Sequence, residues 1–400
     1  MKIIKKFKFL FIFGFLLSYL FIPIVFFFNY TGNKLNSIFY STLIFISLII
    51  FSEIIYILIM KISNKNYLLK NNVYEKEKFC FESHPYLPYV MKKNFLASYR
   101  TRAYLNNYKK NYYFPELKTN NFGFANGENG SRKVNIPKKE GLIRINCLGA
   151  STTGNYIEYD NKIYSYPLIL ENKLCEEYPN KEIEVNNFGQ GGYNSAEILI
   201  NFILKVLDTN ADLIILYHGY NDIRSYLTTG FLPDYSHSRK NISEDIWKLK
   251  VLEYFPPLKL NFYKYLIQKL SIRNSLLELI SKGKSEIHSN TDEGLKTFKR
   301  NTESIIHLCK ANGIKIILST FCLNISDDVL LDEETKKYKE LVNCENEILE
   351  NLAKKHNIQV VRNNEKIKKD ETYFVDTIHF TPEGMHKLAE NFFDEVKKII

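Results

Sequence analysis

The chain has 400 residues, of which 45% are hydrophobic and 24% are charged, a globular composition with enough length for two or three domains. Its formal net charge is +10, but residues 1–80 hold ten lysines against three glutamates and so contribute +7 of it. The other 320 residues are nearly balanced, with no basic stripe interleaved with aromatic residues. Composition and charge therefore argue against a nucleic-acid-binding protein.

Two apolar segments near the N-terminus predict a transmembrane hairpin. Residues 9–28 carry no charge, and residues 38–60 carry only Glu53. At about 1.5 Å per residue, each segment is long enough to cross a hydrocarbon core about 30 Å thick. The first segment is too long for the apolar part of a signal peptide and lacks a small-residue cleavage site. We therefore expect residues 1–62 to anchor the protein in a lipid bilayer through two spans.

The lysines that flank these segments predict their orientation. Four lysines precede the first segment and three closely follow the second, whereas Lys34 alone lies between them. The positive-inside rule then assigns both ends of the hairpin, and all that follows it, to the cytoplasmic side. If only one segment spans the bilayer, the rest of the chain lies on the opposite side.

Residues 63–140 form an irregular lead-in, rich in Tyr, Asn and Lys and interrupted by four prolines. Partial alternation predicts short strands near residues 86–90 and 95–99, and Pro88 would confine the first of them to a sheet edge. The sequence of this lead-in does not indicate a function.

From residue 141 onwards, apolar strands alternate with helices. Strands are predicted at 142–148, 183–188, 212–217, 314–320 and 358–361, and helices at 164–178, 195–207, 295–311, 333–356 and 382–400. Strands joined by such helices form a parallel sheet that is covered on both faces, with right-handed crossovers. Residues 141–400 are therefore predicted to form a doubly wound, three-layer α/β/α domain with the flavodoxin-like strand order 2-1-3-4-5.

One segment is too long for a simple crossover in this alternation. Residues 226–293 contain clustered aromatic residues, the pair Pro256-Pro257 and a helical stretch near 263–280. An insertion of this kind forms a lid or substrate wall in some proteins and packs on the sheet edge in others. The sequence leaves both readings open.

Four short segments bring chemically useful side chains to the domain. They are Gly149-Ala150-Ser151, Asn187-Phe188-Gly189-Gln190-Gly191-Gly192, Gly219-Tyr220-Asn221-Asp222 and Asp376-Thr377-Ile378-His379. The first three follow predicted strands, and the carboxyl ends of parallel strands meet at one edge of a sheet. A serine, a glycine amide, an asparagine amide and a histidine next to an aspartate are the groups that a serine esterase uses.

In this order and with these neighbours, the four segments resemble the SGNH hydrolase family, also called GDSL-type esterases, from about residue 142 to the C-terminus. The resemblance implies that Ser151 is the nucleophile, His379 the general base and Asp376 the acid that orients it. It also implies an oxyanion hole made by the amides of Ser151 and Gly192 and the side chain of Asn221. Family members often carry aspartate or glycine where this chain has Ala150, but that residue is not the reacting group.

The remaining assignments at the site are less specific. Because Gly191 and Gly192 are adjacent, either backbone amide could be the oxyanion donor, and the family spacing favours Gly192. We expect Asp222 to cap the turn that follows it and His218 to be structural.

His307 and His356 have no matching acid in the sequence. We find no phosphate-binding loop, and none of the six cysteines has metal-type or redox-type spacing. No cofactor and no metal are therefore expected.

The lead-in looks like the segment upstream of the catalytic domain in membrane-anchored bacterial members of the family, which implies a bacterial cell membrane. The expected function is a membrane-anchored serine ester hydrolase that forms an acyl-enzyme, with an ester-bearing glycan, lipid or small molecule as substrate, and deacetylation as one form of the reaction. The same intermediate would serve an O-acyltransferase acting on cell-surface carbohydrate. A non-catalytic membrane scaffold is a third hypothesis. The sequence does not indicate an oligomeric state.

Overall fold

The computed structural model describes residues 47, 50–55, 80–82, 84–97, 101–102, 112–228, 230–239, 290–325 and 332–400. The chain divides into two compact units, one made of residues 1–70 and 252–281 and the other of residues 71–251 and 282–400. In the first unit, the described residues 47 and 50–55 are helical.

The membrane prediction needs a correction. Of the two predicted spans, 9–28 lies outside the described residues, and 38–60 is described only at 47 and 50–55. Within the described part of the chain, no helix combines the length and the apolar composition that a bilayer crossing requires. The predicted location, a bacterial cell membrane with the catalytic domain on the cytoplasmic side, is therefore wrong on this finding.

The second unit contains thirteen described strands and eight described α-helices. The strands are β1 (Phe81–Glu82), β2 (Val90–Met91), β3 (Leu96–Ala97), β4 (Thr101–Arg102), β5 (Tyr113–Phe114), β6 (Leu117–Lys118), β7 (Ile143–Gly149), β8 (Ile157–Tyr159), β9 (Lys162–Tyr164), β10 (Ile183–Gly189), β11 (Leu213–Tyr217), β12 (Lys315–Ser319) and β13 (Gln359–Val361). The helices are α1 (Ser151–Gly154), α2 (Tyr166–Glu177), α3 (Ser195–Asn201), α4 (Tyr220–Tyr226), α5 (Thr291–Ala311), α6 (Glu333–His356), α7 (Asn363–Lys366) and α8 (Pro382–Val396).

Five strands form the central sheet, in the order β10-β7-β11-β12-β13 with every neighbouring pair parallel. Numbered along the chain, this order is 2-1-3-4-5, which confirms the predicted parallel α/β fold. The last residues of all five strands lie in one row of the register, listed from edge to edge as Gly189, Gly149, Tyr217, Ser319 and Val361. Every loop that leaves this row therefore starts at the same edge of the sheet.

Two groups of helices enclose the sheet. Helix α2 packs against α8, where the rings of Tyr166 and Phe392 lie 5.4 Å apart. Helix α5 packs against α3 and α6, and the Asn301 side chain donates to Ser195 Oγ over 2.9 Å. Because every residue of β11 is buried, the two groups cover opposite faces.

The helix after β10 begins where the sequence predicts but changes form before its end. Asn194 caps it in a reciprocal arrangement, in which the Asn194 side chain accepts from the Glu197 amide and the Glu197 side chain accepts from the Asn194 amide. Beyond α3 the chain continues as a π-helical stretch, Phe202–Val206, and a 3₁₀ turn, Leu207–Thr209. Helix α6 has the predicted bounds, 333–356.

Small residues allow two elements at the carboxyl edge of the sheet to pack closely. A Cβ on Gly189 would lie 2.2 Å from the backbone nitrogen of Gly154, which real side chains do not tolerate. Strand β10 and helix α1 therefore approach each other as closely as two backbones can.

A buried carboxyl group lies behind the loop that follows β11. Glu345 on α6 is fully buried, and Tyr226 donates to its Oε1 over 2.8 Å. Its Oε2 has no hydrogen-bond partner among the described residues. A Cβ on Gly219 would lie 2.9 Å from that oxygen, so the loop passes directly over the carboxyl. Burial raises the pKa of Glu345 well above its usual range, and nearby Asp222 raises it further.

We expect Gly189→Ala to lower the free energy of unfolding by at least about 3 kcal/mol, because the new methyl group meets backbone that cannot move aside. Gly313→Ala is the matched control, since a Cβ there meets no atom within 4 Å and only the φ of +68° is strained. That variant should cost about 1 kcal/mol. Urea unfolding measures both, and equal losses would contradict the close approach at Gly189.

Glu345→Gln should change how stability depends on pH. The folded protein holds the Glu345 proton at a pH where the unfolded chain has released it, so this residue reduces stability as pH rises above about 4.5. Glutamine removes that dependence. The melting temperature of Glu345→Gln minus that of the wild type should therefore increase from pH 5 to pH 9, measured by circular dichroism. Glu347→Gln, an exposed position on the same helix, is the control, and parallel pH curves for wild type and Glu345→Gln would contradict the prediction.

Candidate active site

Three side chains predicted to act together are in direct contact. Ser151 is the first residue of α1, immediately beyond β7, and its Oγ lies 2.9 Å from Nε2 of His379. The other ring nitrogen of His379, Nδ1, lies 2.7 Å from Oδ2 of Asp376. The chain positions of Ser151 and His379 differ by 228 residues, and the fold joins them at the carboxyl edge of the sheet. This arrangement can move a proton from the serine hydroxyl to the imidazole.

A tight loop before α8 holds the aspartate and histidine. Oδ1 of Asp376 accepts hydrogen bonds from the backbone amides of Ile378 and His379, over 2.8 and 2.7 Å. The amide of Asn324, beyond β12, donates to the Thr377 carbonyl over 2.8 Å and joins this loop to the sheet. Burial raises the pKa of Asp376, but the hydrogen bonds and charge of His379 together with the Ile378 amide outweigh it. The pKa therefore lies below its usual value, and the carboxylate is ionised where it orients the imidazole.

The loop after β10 passes beside the serine. A Cβ built on Gly191 would lie 4.0 Å from Cβ of Ser151. Gly192 has φ +79°, a conformation that glycine adopts without strain. Among the described residues, the amides of Ser151 and Gly192 have no hydrogen-bond acceptor.

Asn221 occupies the second position of α4 and faces the same loop. Its side-chain amide donates to the Tyr193 carbonyl over 2.9 Å. The bond fixes the plane of the amide and uses one of its two N–H donors. The contact of Asn221 is thus with the residue after Gly192.

The structure corrects the role predicted for Asp222. Its buried carboxylate accepts from the Ser195 amide over 2.9 Å, from the Ser195 hydroxyl over 2.5 Å and from the Tyr235 hydroxyl over 2.6 Å. Burial raises its pKa to about 6 although these hydrogen bonds act in the opposite direction. Asp222 therefore ties α4 to the start of α3, and it does not cap the following turn. Those contacts come from residues distant in sequence.

His218 is also buried, beside the Phe298 ring and 3.4 Å from Thr302 Oγ1. Burial lowers its pKa to about 3, so the ring is neutral. It packs between β11 and α5.

One prediction about the other histidines is wrong. His356 has an acidic partner, because its Nε2 lies 2.7 Å from Oε1 of Glu303 on the neighbouring helix. With His307, these residues are the one group of side chains in the described part of the chain that could hold a metal ion. The Nζ of Lys355 lies 2.6 Å from the same Glu303 oxygen, so the carboxylate is already in an ion pair.

Two residues at the site have no counterpart in the sequence prediction. The Tyr89 hydroxyl, from the lead-in, donates to the Gly191 carbonyl. The Arg239 guanidinium, from the start of the segment after α4, donates to the Gly192 carbonyl over 2.5 Å and pairs with Glu197. No local pattern links a tyrosine to a loop about 100 residues away, so sequence reasoning had no signal for either contact.

Comparison with known proteins finds one matching family and several similar solved structures. Residues 147–387 match the model of the GDSL-like lipase/acylhydrolase family. Similar solved structures include the acetylxylan esterase Axe2 from Geobacillus stearothermophilus, with 16% identity over 64% of this chain and 94% of that chain and a TM-score of 0.40. A GDSL-like lipase from Bacteroides thetaiotaomicron has 15% identity over 64% and 89%, with a TM-score of 0.38. A lipase/acylhydrolase from Enterococcus faecalis has 18% identity over 64% and 96%, with a TM-score of 0.37.

A search of curated protein sequences gave no match. The family model alone covers well over half of the chain. The chain therefore belongs to the GDSL-like lipase/acylhydrolase family, and it is an enzyme that hydrolyses ester bonds.

Proposed function

We propose that the chain hydrolyses carboxylic esters through a covalent acyl-serine intermediate. Ser151 is the nucleophile, His379 the general base and Asp376 the residue that orients it. The single observation that carries this proposal is the continuous pair of contacts from Ser151 Oγ to His379 Nε2, 2.9 Å, and from His379 Nδ1 to Asp376 Oδ2, 2.7 Å. A base within hydrogen-bond reach of a hydroxyl, itself held by an acid, is the arrangement that activates serine.

In the first half of the reaction, Ser151 Oγ attacks the ester carbonyl carbon while its proton moves to His379 Nε2. The carbonyl oxygen becomes an oxyanion, which the amides of Ser151 and Gly192 and the side chain of Asn221 stabilise. When the carbon–oxygen bond of the ester breaks, the imidazolium returns the proton to the leaving alcohol. Asp376 stabilises the imidazolium in between and keeps the proton of the resting imidazole on Nδ1.

In the second half, water loses a proton to His379 and attacks the acyl-serine. Collapse of the second tetrahedral intermediate releases the carboxylic acid and returns the proton to Ser151 Oγ. The side chains of His379 and Asp376 are 25% and 47% exposed, so water reaches the base directly. That exposure favours hydrolysis over acyl transfer, since transfer requires an acceptor hydroxyl to displace water from this position.

Substitutions of the three residues test the mechanism. Ser151→Ala should lower kcat for a short-chain aryl ester by about 10⁴-fold or more, with the melting temperature nearly unchanged. Asp376→Asn should lower kcat by about 10⁴-fold, because asparagine can still accept from the loop amides but donates towards Nδ1 and favours the wrong tautomer of His379.

Ser304→Ala, at a half-buried position on α5, is the control for the loss of a serine hydroxyl and should leave kcat unchanged. Turnover retained in Ser151→Ala would exclude the acyl-serine mechanism. A large fall in its melting temperature would instead identify Ser151 as a structural helix cap. If the wild type also lacked turnover, the non-catalytic scaffold would be favoured, and acetyl label appearing on an added glycan instead of in acetate would favour transfer.

A further inference from the structure

The loop that carries the proposed oxyanion donor has little to hold it in place by itself. Gly191 and Gly192 are consecutive, and glycine loses more conformational freedom on folding than any other residue. The next residue is tied back by its own amide, since Tyr193 N–H donates to the Gln190 carbonyl over 3.2 Å. That bond closes the turn but does not fix the rotation of the peptide between the two glycines.

Tyr89 fixes that rotation. Its hydroxyl donates to the carbonyl of Gly191, and this carbonyl belongs to the same peptide group as the amide of Gly192. The peptide is trans, so its C=O and N–H point in opposite directions. A hydrogen bond that holds the carbonyl towards Tyr89 therefore holds the Gly192 N–H away from Tyr89. Such a bond also polarises the peptide and strengthens the N–H as a donor.

The contact between Tyr89 and the loop depends on the small size of Gly192. A Cβ on Gly192 would lie 2.5 Å from the Tyr89 hydroxyl oxygen, so any larger residue would push the tyrosine away. The φ of +79° favours glycine at this position, and a larger residue would also displace the Tyr89 hydroxyl.

Tyr89 is itself held in place by its neighbours. The Tyr193 hydroxyl donates to the Tyr89 carbonyl over 2.6 Å, and the two rings lie 5.6 Å apart. The Phe81 ring packs edge-on against Tyr89 at 5.0 Å. Burial raises the pKa of Tyr89 above its usual value, and the charge of Glu197 acts in the same direction, so the hydroxyl keeps its proton. The tyrosine hydroxyl therefore remains a hydrogen-bond donor at neutral and mildly alkaline pH.

We propose that Tyr89 is a positioning residue that sets the orientation of the Gly192 oxyanion donor. The inference rests on the proposed acyl-serine mechanism. Tyr89 lies outside residues 147–387, the part of the chain that matches the family model, so the lead-in supplies part of the catalytic geometry. Arg239 holds the following peptide, between Gly192 and Tyr193, by donating to the Gly192 carbonyl. Side chains therefore hold the two consecutive peptides of the loop.

Tyr89→Phe in the full chain tests the proposal. Because the oxyanion forms only as the reaction proceeds, a misdirected donor affects the transition state and not substrate binding. We expect kcat for a short-chain aryl ester to fall by about 10-fold or more, with KM within about twofold of the wild type. Replacing Tyr89 by p-aminophenylalanine, which keeps an N–H donor at the same place, should restore most of kcat.

Tyr156→Phe is the matched control, because the buried Tyr156 hydroxyl also donates to a backbone carbonyl, that of Ala125, over 3.2 Å. The melting temperature of Tyr156→Phe should be close to that of Tyr89→Phe, but its kcat should equal that of the wild type. A kcat of Tyr89→Phe within twofold of the wild type, or a loss confined to KM, would overturn the positioning role. Turnover retained in Ser151→Ala would instead overturn the acyl-serine mechanism, so the two failures are distinguishable.

Discussion

The site depends on one constraint, the common register of the parallel strands at their carboxyl ends. Gly149, Gly189 and Tyr217 end three neighbouring strands in a single row, and the loops that carry Ser151, Gly192 and Asn221 start within a few residues of it. The loop of Asp376 and His379 is joined to the same edge by the bond from Asn324 to Thr377. A shift of one residue in either strand pairing would reverse which face each side chain occupies and separate Ser151 from His379.

The edge of the sheet brings the reacting groups together, but it does not orient all of them. The serine and histidine are held by short local structures, the start of α1 and the loop before α8, in which the backbone accepts or donates the orienting bonds. The Gly191-Gly192 loop is different, because the carbonyls of both glycines accept from distant side chains, Tyr89 in the lead-in and Arg239 beyond α4. The strand ends thus supply the proposed catalytic groups, and side chains from the lead-in and from the segment after α4 hold the Gly191-Gly192 loop.

Much of this could be predicted, because hydrophobic periodicity is local and strong. The alternation of strands and helices predicted the parallel sheet, and the bounds of α6 match residue for residue. The contacts of Tyr89, and the buried partners of Asp222 and Glu345, depend on side chains that approach across long separations in sequence, which no local pattern encodes. The membrane prediction rested on hydropathy and on the flanking lysines, and no helix in the described part of the chain has the length and apolar composition to cross a bilayer.

The central claim is that one hydroxyl, that of Ser151, is activated by His379. Reaction with a fluorophosphonate probe tests it most directly, because such probes modify a serine that an adjacent base has activated. Peptide mass spectrometry should find the phosphonyl group on Ser151 in the wild type, and the rate of labelling should fall by orders of magnitude in His379→Ala while the protein remains folded. Labelling of a different residue, or an unchanged rate in the absence of the imidazole, would contradict the account.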